Sequence, residues 1–280
     1  MAQLEIYGQD HSPWVQAVLL GLHEKGIPYT LRTVPPRRLF LKSGILMPAA
    51  RFDSENWQLD SDAILERVGF AAVSAEDKLA LYSAWNGVAH RVDSGPRFWG
   101  AWSLVRDPNP SLLPRLGNHF LRTFAVLYFY LLISTMIRIG NRSDPENFTD
   151  QFLDWEERLE ANAKTQSGPY LGGSQPGILD MMLFGIIQCH CSIRVPPVLA
   201  LQEDLRLARL RSWIATMQER FADYEHLYSG VFFEPRSPAP AQSTALERAS
   251  FWIGSAFMLL AFPISVPLIV FFARRIHAGD

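Results

Sequence analysis

Pro13-Trp14-Val15-Gln16-Ala17-Val18-Leu19-Leu20-Gly21-Leu22-His23-Glu24-Lys25-Gly26 is the stretch on which the fold reading turns. Ser12 stands at its N-cap and Pro13 at the first helical position, where the missing N–H costs nothing. Gly26 falls at the C′ position that ends a helix. The segment is therefore a helix, expected over Pro13 to Lys25. Strand-like Leu4 to Tyr7 precedes it and Tyr29 to Val34 follows. A strand, a helix and a strand in succession give a β-α-β unit with a parallel pair. Pro35 to Gly44 is irregular or a short helix. Ala49 to Phe52 and Trp57 to Leu59, joined by Asp53-Ser54-Glu55-Asn56, read as a hairpin, and Ser61 to Val68 as a closing helix.

The resulting βαβ-ββα order is the thioredoxin-like arrangement, so the fold class is α/β for the first part of the chain. After Ala72 the strand signals stop and an all-α domain follows. Helices are expected from about Ala75 to Val105, Ser111 to Ile139, Glu146 to Ala163, Ile178 to Ile193 and Leu199 to Phe221. In the third, Phe148, Phe152, Trp155 and Leu159 recur at helical spacing as a core face, with Glu156, Glu157 and Arg158 away from it. The expected division is 1–73 thioredoxin-like, 74–234 helical bundle, 235–249 a Pro/Ala/Ser-rich linker and 250–273 a transmembrane helix.

The last segment is the apolar one. From Ala249 to Ala273 no residue is charged, and at about 1.5 Å per residue that length crosses a hydrocarbon core of roughly 30 Å. Arg248 bounds one end and Arg274-Arg275 the other, with Trp252 at an interfacial position. Pro263 and Pro267 are tolerated as kinks in membrane helices. A single-pass C-terminal anchor is expected, with a hairpin or in-plane helix as the alternative. Orientation signals conflict: the basic pair favours a cytoplasmic tail, whereas a cytosolic body puts that tail outside, and the body's location decides for a cytosolic domain with a tail anchor. A second apolar run, Thr123 to Ile137, lies between Arg122 and Arg138. It is short for a span and reads as a buried helix or an interfacial one.

A chain of 280 residues with formal charge −2 has no basic excess to neutralise phosphates, which argues against nucleic acid as partner. Met1-Ala2-Gln3 lacks a basic n-region, so no signal peptide is expected and the body is placed in the cytoplasm. The two cysteines, Cys189 and Cys191, form no disulfide framework. Residues two apart on a helix point about 200° away from each other, so Cys-His-Cys is a poor chelator and no metal is expected.

Five motifs together resemble the cytosolic-type glutathione S-transferase family over residues 3 to 225. They are Ser12-Pro13-Trp14-Val15-Gln16-Ala17-Val18 with His23-Glu24-Lys25-Gly26-Ile27-Pro28-Tyr29; Ile45-Leu46-Met47-Pro48-Ala49; Leu59-Asp60-Ser61-Asp62-Ala63-Ile64-Leu65; Pro169-Tyr170-Leu171-Gly172-Gly173; and Gly177-Ile178-Leu179-Asp180. The resemblance implies glutathione as co-substrate, an apolar electrophile as second substrate, and a homodimer. It implies a cis Met47-Pro48 bond that turns Met47's backbone N–H and C=O toward the glutathione cysteinyl group as a short added strand; a trans turn proline is the alternative. Ser61 would meet the γ-glutamyl carboxylate and Asp60 the amino group; a plain N-cap and a solvated acid are the alternatives. Ser12 stands where some members carry a catalytic Ser or Cys, so its hydroxyl would donate to the glutathione sulfur; simple helix capping is the alternative. Tyr7 is the second candidate donor, or a core tyrosine. No cysteine lies near the site, which disfavours mixed-disulfide chemistry.

This chain departs from the pattern at Ala17 and Leu19, where many bacterial members carry basic residues. Its 35–44 loop offers only Arg37, Arg38 and Lys42 to the glycyl end. Trp85, Phe98, Trp99 and Trp102 either line an electrophile pocket or pack a core, and His90 and Asp93 read as a solvated pair. The functional expectation is a membrane-anchored protein conjugating glutathione to apolar electrophiles. The alternative is a non-catalytic, membrane-tethered binding or sorting module of the same fold.

Overall fold

The computed structural model describes residues 4–10, 12–44, 46–53, 55–89, 106–107, 109–123, 127, 149–165, 167–191, 201–227 and 241–277. Four strands, β1 (Leu4–Tyr7), β2 (Thr30–Arg32), β3 (Ala49–Phe52) and β4 (Gln58–Leu59), form one sheet in the order β2-β1-β3-β4. β1 pairs parallel with β2 and antiparallel with β3, and β3 pairs antiparallel with β4. Between β1 and β2 runs α1 (Pro13–Glu24); α2 (Arg37–Ser43) precedes β3, and α3 (Ser61–Arg67) follows β4. The thioredoxin-like arrangement read from the sequence is thus present.

Strand alternation sorts β1 onto two faces. Leu4 and Ile6 join α1 and α3 in the main core, whereas Tyr7 packs with Leu39 of α2 and with Ala49. Glu5, on the Tyr7 face, is nearly buried between Arg32 and Arg51 of the flanking strands. Those two guanidiniums hold its carboxyl below the ordinary carboxylate range, Arg32 contributing most. Gly26, at φ 62°, closes α1, with its N–H donating to the His23 carbonyl.

The helical part contributes α4 (Ala75–Ala89), α5 (112–123), α6 (Leu153–Lys164), α7 (Ile178–Cys191), α8 (Ala208–Arg220) and α9 (Ala245–His277). α1 is buried around nearly its whole circumference because α7 covers the side turned away from the sheet. The approach is close enough that a Cβ on Gly185 would stand 2.4 Å from the Pro13 carbonyl oxygen. Asp180, in the first turn of α7 and fully buried, accepts N–H donors from Leu171, Gly172, Gly177 and the Trp213 indole at 2.8–2.9 Å. One carboxylate thereby joins the start of α7, the 170–173 bridge and α8.

Several expected features change in detail. The helix expected over Leu199 to Phe221 is broken: Asp204 caps a short 3-10 turn, Leu205–Leu207, before α8 starts. The core face of α6 is as expected at Phe152, Trp155 and Leu159. Glu156, however, does not simply face water: its carboxylate accepts the Arg209 and Leu210 backbone N–H groups and so caps α8. Arg158 pairs with Asp77 of α4 and lies over the Trp155 ring. His90, Asp93, Phe98, Trp99, Trp102, Phe148 and nearly all of the run Thr123 to Ile137 lie outside the described residues.

α9 begins at Ala245 rather than near 250. Thr244 and Glu247 form a reciprocal cap, in which Thr244 N–H donates to Glu247 and Glu247 N–H donates to Thr244 Oγ1. Glu247 is fully buried, 3.3 Å from Arg115 and 3.8 Å from His119, both on α5. Farther along, Ser250 Oγ donates to the Leu116 carbonyl, and a Cβ on Gly254 would stand 2.8 Å from the Phe120 carbonyl oxygen. Phe257 meets Phe120 at 5.9 Å between ring centroids. α5 and α9 therefore run parallel and in contact, and α9 also packs against α2. It is the one helix among the described residues long and apolar enough to cross a membrane.

Candidate functional site

The three stretches singled out in the sequence leave the sheet at one end. Tyr7 pairs with Ala49, and Ala49 pairs with Leu59, so these residues form a single row across β1, β3 and β4. β1 runs out of that row through Gly8 toward Ser12. β3 enters it from Met47-Pro48. β4 runs out of it into Asp60-Ser61. A row of three adjacent strands spans two inter-strand spacings, about 10 Å.

Ser12 is half-buried at the N-cap of α1, and its hydroxyl makes no capping hydrogen bond. The Ser12 carbonyl instead receives the Gln16 N–H, and its own N–H donates to the Gln9 carbonyl. Met47-Pro48 is cis, as the resemblance implied. The Met47 thioether accepts the Gln9 N–H at 3.4 Å, so the loop before β3 touches the loop after β1. Asp60 is exposed at φ 70°, and Ser61 is buried as the first residue of α3. Tyr7 is 2% exposed, and burial pushes its phenol up to about 12.

Beside this end of the sheet lie two groups; of their residues the sequence offered only Trp85, as a pocket-lining or core residue. Trp14 packs on Tyr82 (5.2 Å) and Trp85 (6.5 Å) of α4, making an aromatic patch two residues from Ser12. Tyr82 is half exposed; burial of its ring, then the charges of Asp62 and Asp60, raise its phenol. The second group ties the β1–α1 loop to the end of the helical part. Buried Gln16 donates to the Asp10 and His226 carbonyls and accepts the Tyr224 hydroxyl. The His226 ring bonds Asp10 at 3.1 Å, which raises its pKa. Partners more than 200 residues apart leave no local signal; only the polar Gln16 within an apolar helix hinted at them.

Cys189 lies in the core, where burial pushes its thiol up, and among the described residues no cluster of His, Cys, Asp or Glu is arranged to hold a metal.

No family model matches the sequence, and no curated protein matches it. Among solved structures it is similar to glutathione transferase Omega 2C from Trametes versicolor, 14% identical with TM-score 0.43, over 84% of this chain and 97% of that one. It is similar to dehydroascorbate reductase from Chlamydomonas reinhardtii, 16% identical with TM-score 0.42, over 81% of this chain and 93% of that one. A theta class glutathione S-transferase from Xanthomonas axonopodis pv. citri with glutathione bound is 17% identical with TM-score 0.41, over 81% of this chain and 98% of that one. These likenesses are distant, and the fold stands on the chain's own strand order and register.

Proposed function

We propose that this chain binds glutathione at the end of its sheet and conjugates it to apolar electrophiles, with the body attached to a membrane through α9. The observation that carries the proposal is the row Tyr7–Ala49–Leu59, which delivers Ser12, Met47-Pro48 and Asp60-Ser61 to one end of the sheet. An extended tripeptide is about 10 Å long, the same as that row. Glutathione would lie across it with its cysteinyl backbone along Met47, its γ-glutamyl end at Asp60 and Ser61, and its thiol toward Ser12.

Ser12 is the better donor to the sulfur than Tyr7. Its hydroxyl is not used for capping, whereas Tyr7 is packed against Leu39 and Ala49. A hydroxyl bonded to the sulfur stabilises the thiolate over the thiol and so raises the nucleophile's concentration near neutral pH. The chemical step is attack of that thiolate on the electrophilic carbon with departure of its leaving group. The protein supplies position and thiolate stabilisation. Trp14, Tyr82 and Trp85 offer an apolar, aromatic wall for the electrophile.

The test uses the full chain in mild detergent, because α9 is packed on the body. Conjugation of glutathione to a chlorodinitrobenzene is followed by absorbance. Turnover above the uncatalysed rate is expected, falling about 10²-fold in kcat/KM for Ser12→Ala. An inactive wild-type chain overturns the enzyme reading and leaves the binding-module alternative; a fully active Ser12→Ala removes Ser12 from the chemistry.

A further inference from the structure

The sequence leaves open how α9 meets the membrane, and its packing separates the alternatives. The buried residues of α9 are Glu247, Phe251, Gly254, Ser255 and Met258, with Phe262 and Ser265 half-buried on the same stripe. From 247 to 265 that stripe runs about 27 Å along the helix. The opposite side carries Trp252, Ile253, Phe257, Leu260, Ile264 and Leu268, each at least 50% exposed. At 100° per residue those exposed positions, with their neighbours, sweep about 200° of the circumference. The helix is thus sheathed by protein along one side and bare and apolar along the other.

A transverse crossing would put the elements beside α9 at hydrocarbon depth. α2 is one of the elements packed on α9, and its Arg37, Arg38 and Lys42 are all exposed. A cation carried toward the bilayer centre is strongly disfavoured. An in-plane arrangement has no such conflict. The bare side of α9 sinks among the acyl chains of one leaflet, the body stays in water, and the cations of α2 reach the phosphate level. Phe40 and Leu41 of α2 and Leu121 of α5, on two elements packed against α9, are 42–54% exposed as well. The conflict between the basic pair and the body's location also disappears, because Arg274-Arg275 and the body then lie on the same side.

We infer that α9 is a monotopic helix lying in the plane of a single leaflet that contains anionic lipid, with both of its ends on the body's side. This rests on the membrane attachment proposed above, and the experiment separates the two. The full chain is added to preformed sealed vesicles of phosphatidylcholine with phosphatidylglycerol and floated on a density gradient. Nitroxide labels at Ile253→Cys, Leu260→Cys, Ile264→Cys and Leu268→Cys report depth by relaxation against oxygen and a water-soluble nickel chelate. Gly279→Cys is alkylated with a membrane-impermeant maleimide, before and after detergent, relative to the unmutated chain.

Flotation with four similar, shallow depths, about 5–10 Å below the headgroups, and tail labelling unchanged by detergent supports the inference. Flotation with depth rising along 253 to 268, or a tail labelled only after detergent, overturns it and leaves membrane attachment standing. A chain that stays at the bottom of the gradient, as a monomer or as a dimer closed over α9, overturns both. The tail measurement leaves the helix unmutated, so it decides the matter even where a label in α9 disturbs its packing.

Discussion

Replacing Asp180 with Asn changes one buried atom and should loosen the whole helical part. The carboxylate is fully buried. Its Oδ1 accepts from Leu171 N–H and the Trp213 indole, and its Oδ2 from Gly172 and Gly177 N–H, all at 2.8–2.9 Å. An amide has one acceptor atom, so either orientation points an NH₂ at two N–H donors. A buried donor left unsatisfied costs about 1–3 kcal/mol, so two cost about 2–6 kcal/mol. Relief from burying a charge offsets part of this, and the net expectation is about 3 kcal/mol. For a body of this size that lowers the unfolding midpoint by about 6–12 °C. Thermal unfolding of the full chain in detergent, read by tryptophan fluorescence and by circular dichroism, measures it. Trp213→Phe removes one of the donors, so Asp180→Asn should cost about 1 kcal/mol less in that background. A midpoint shift under 2 °C, or no coupling to Trp213→Phe, would refute the view that this carboxylate staples α7 to its neighbours.

Three further outcomes follow from the same geometry. Glu5 has its folded pKa held below its ordinary 4.5 by Arg32 and Arg51. Its contribution is therefore present above about pH 4.5 and lost as pH falls through the lower folded value. Glu5→Gln should be less stable at pH 7 and show a shallower loss of stability on acidification; parallel curves for the two proteins would contradict this. Gly185→Ala places a Cβ 2.4 Å from the Pro13 carbonyl and should cost about 1–3 kcal/mol by thermal unfolding, with an unchanged midpoint as the contrary result. Ser12→Ala should move the pH–rate profile for kcat/KM upward toward the ~8.5 of a free thiol; a profile that falls in height without shifting would assign Ser12 to positioning alone.

The first sixty-eight residues were the more legible part. Pro13 and Gly26 bracket α1 by rules that act within one turn, and the hairpin and α3 follow from equally local signals. The Asp180 motif entered only through the family resemblance, although three of its four donors, Leu171, Gly172 and Gly177, lie within nine residues of it. What the sequence hid was long-range. The cap that Glu156 supplies to α8, and the tie from Gln16 to Tyr224 and His226, join residues far apart in the chain. α9 was hidden differently. Its buried Phe251 and Met258 are no more apolar than its exposed Ile253 and Leu260, so no amphipathic period marks which side meets protein. Only Gly254 and Ser255, small residues midway along an apolar helix, carried a trace of the close approach to α5.

A glutathione site at the Tyr7–Ala49–Leu59 end of the sheet shows itself in isothermal titration of the full chain with glutathione, comparing wild type with Asp60→Asn. Asn tolerates the positive φ found at Asp60, so the change removes a charge with little backbone cost. Saturable binding of one glutathione per chain in the millimolar range or tighter is expected, about tenfold weaker for Asp60→Asn. No heat of binding at millimolar glutathione, or equal affinity for the two proteins, would contradict it.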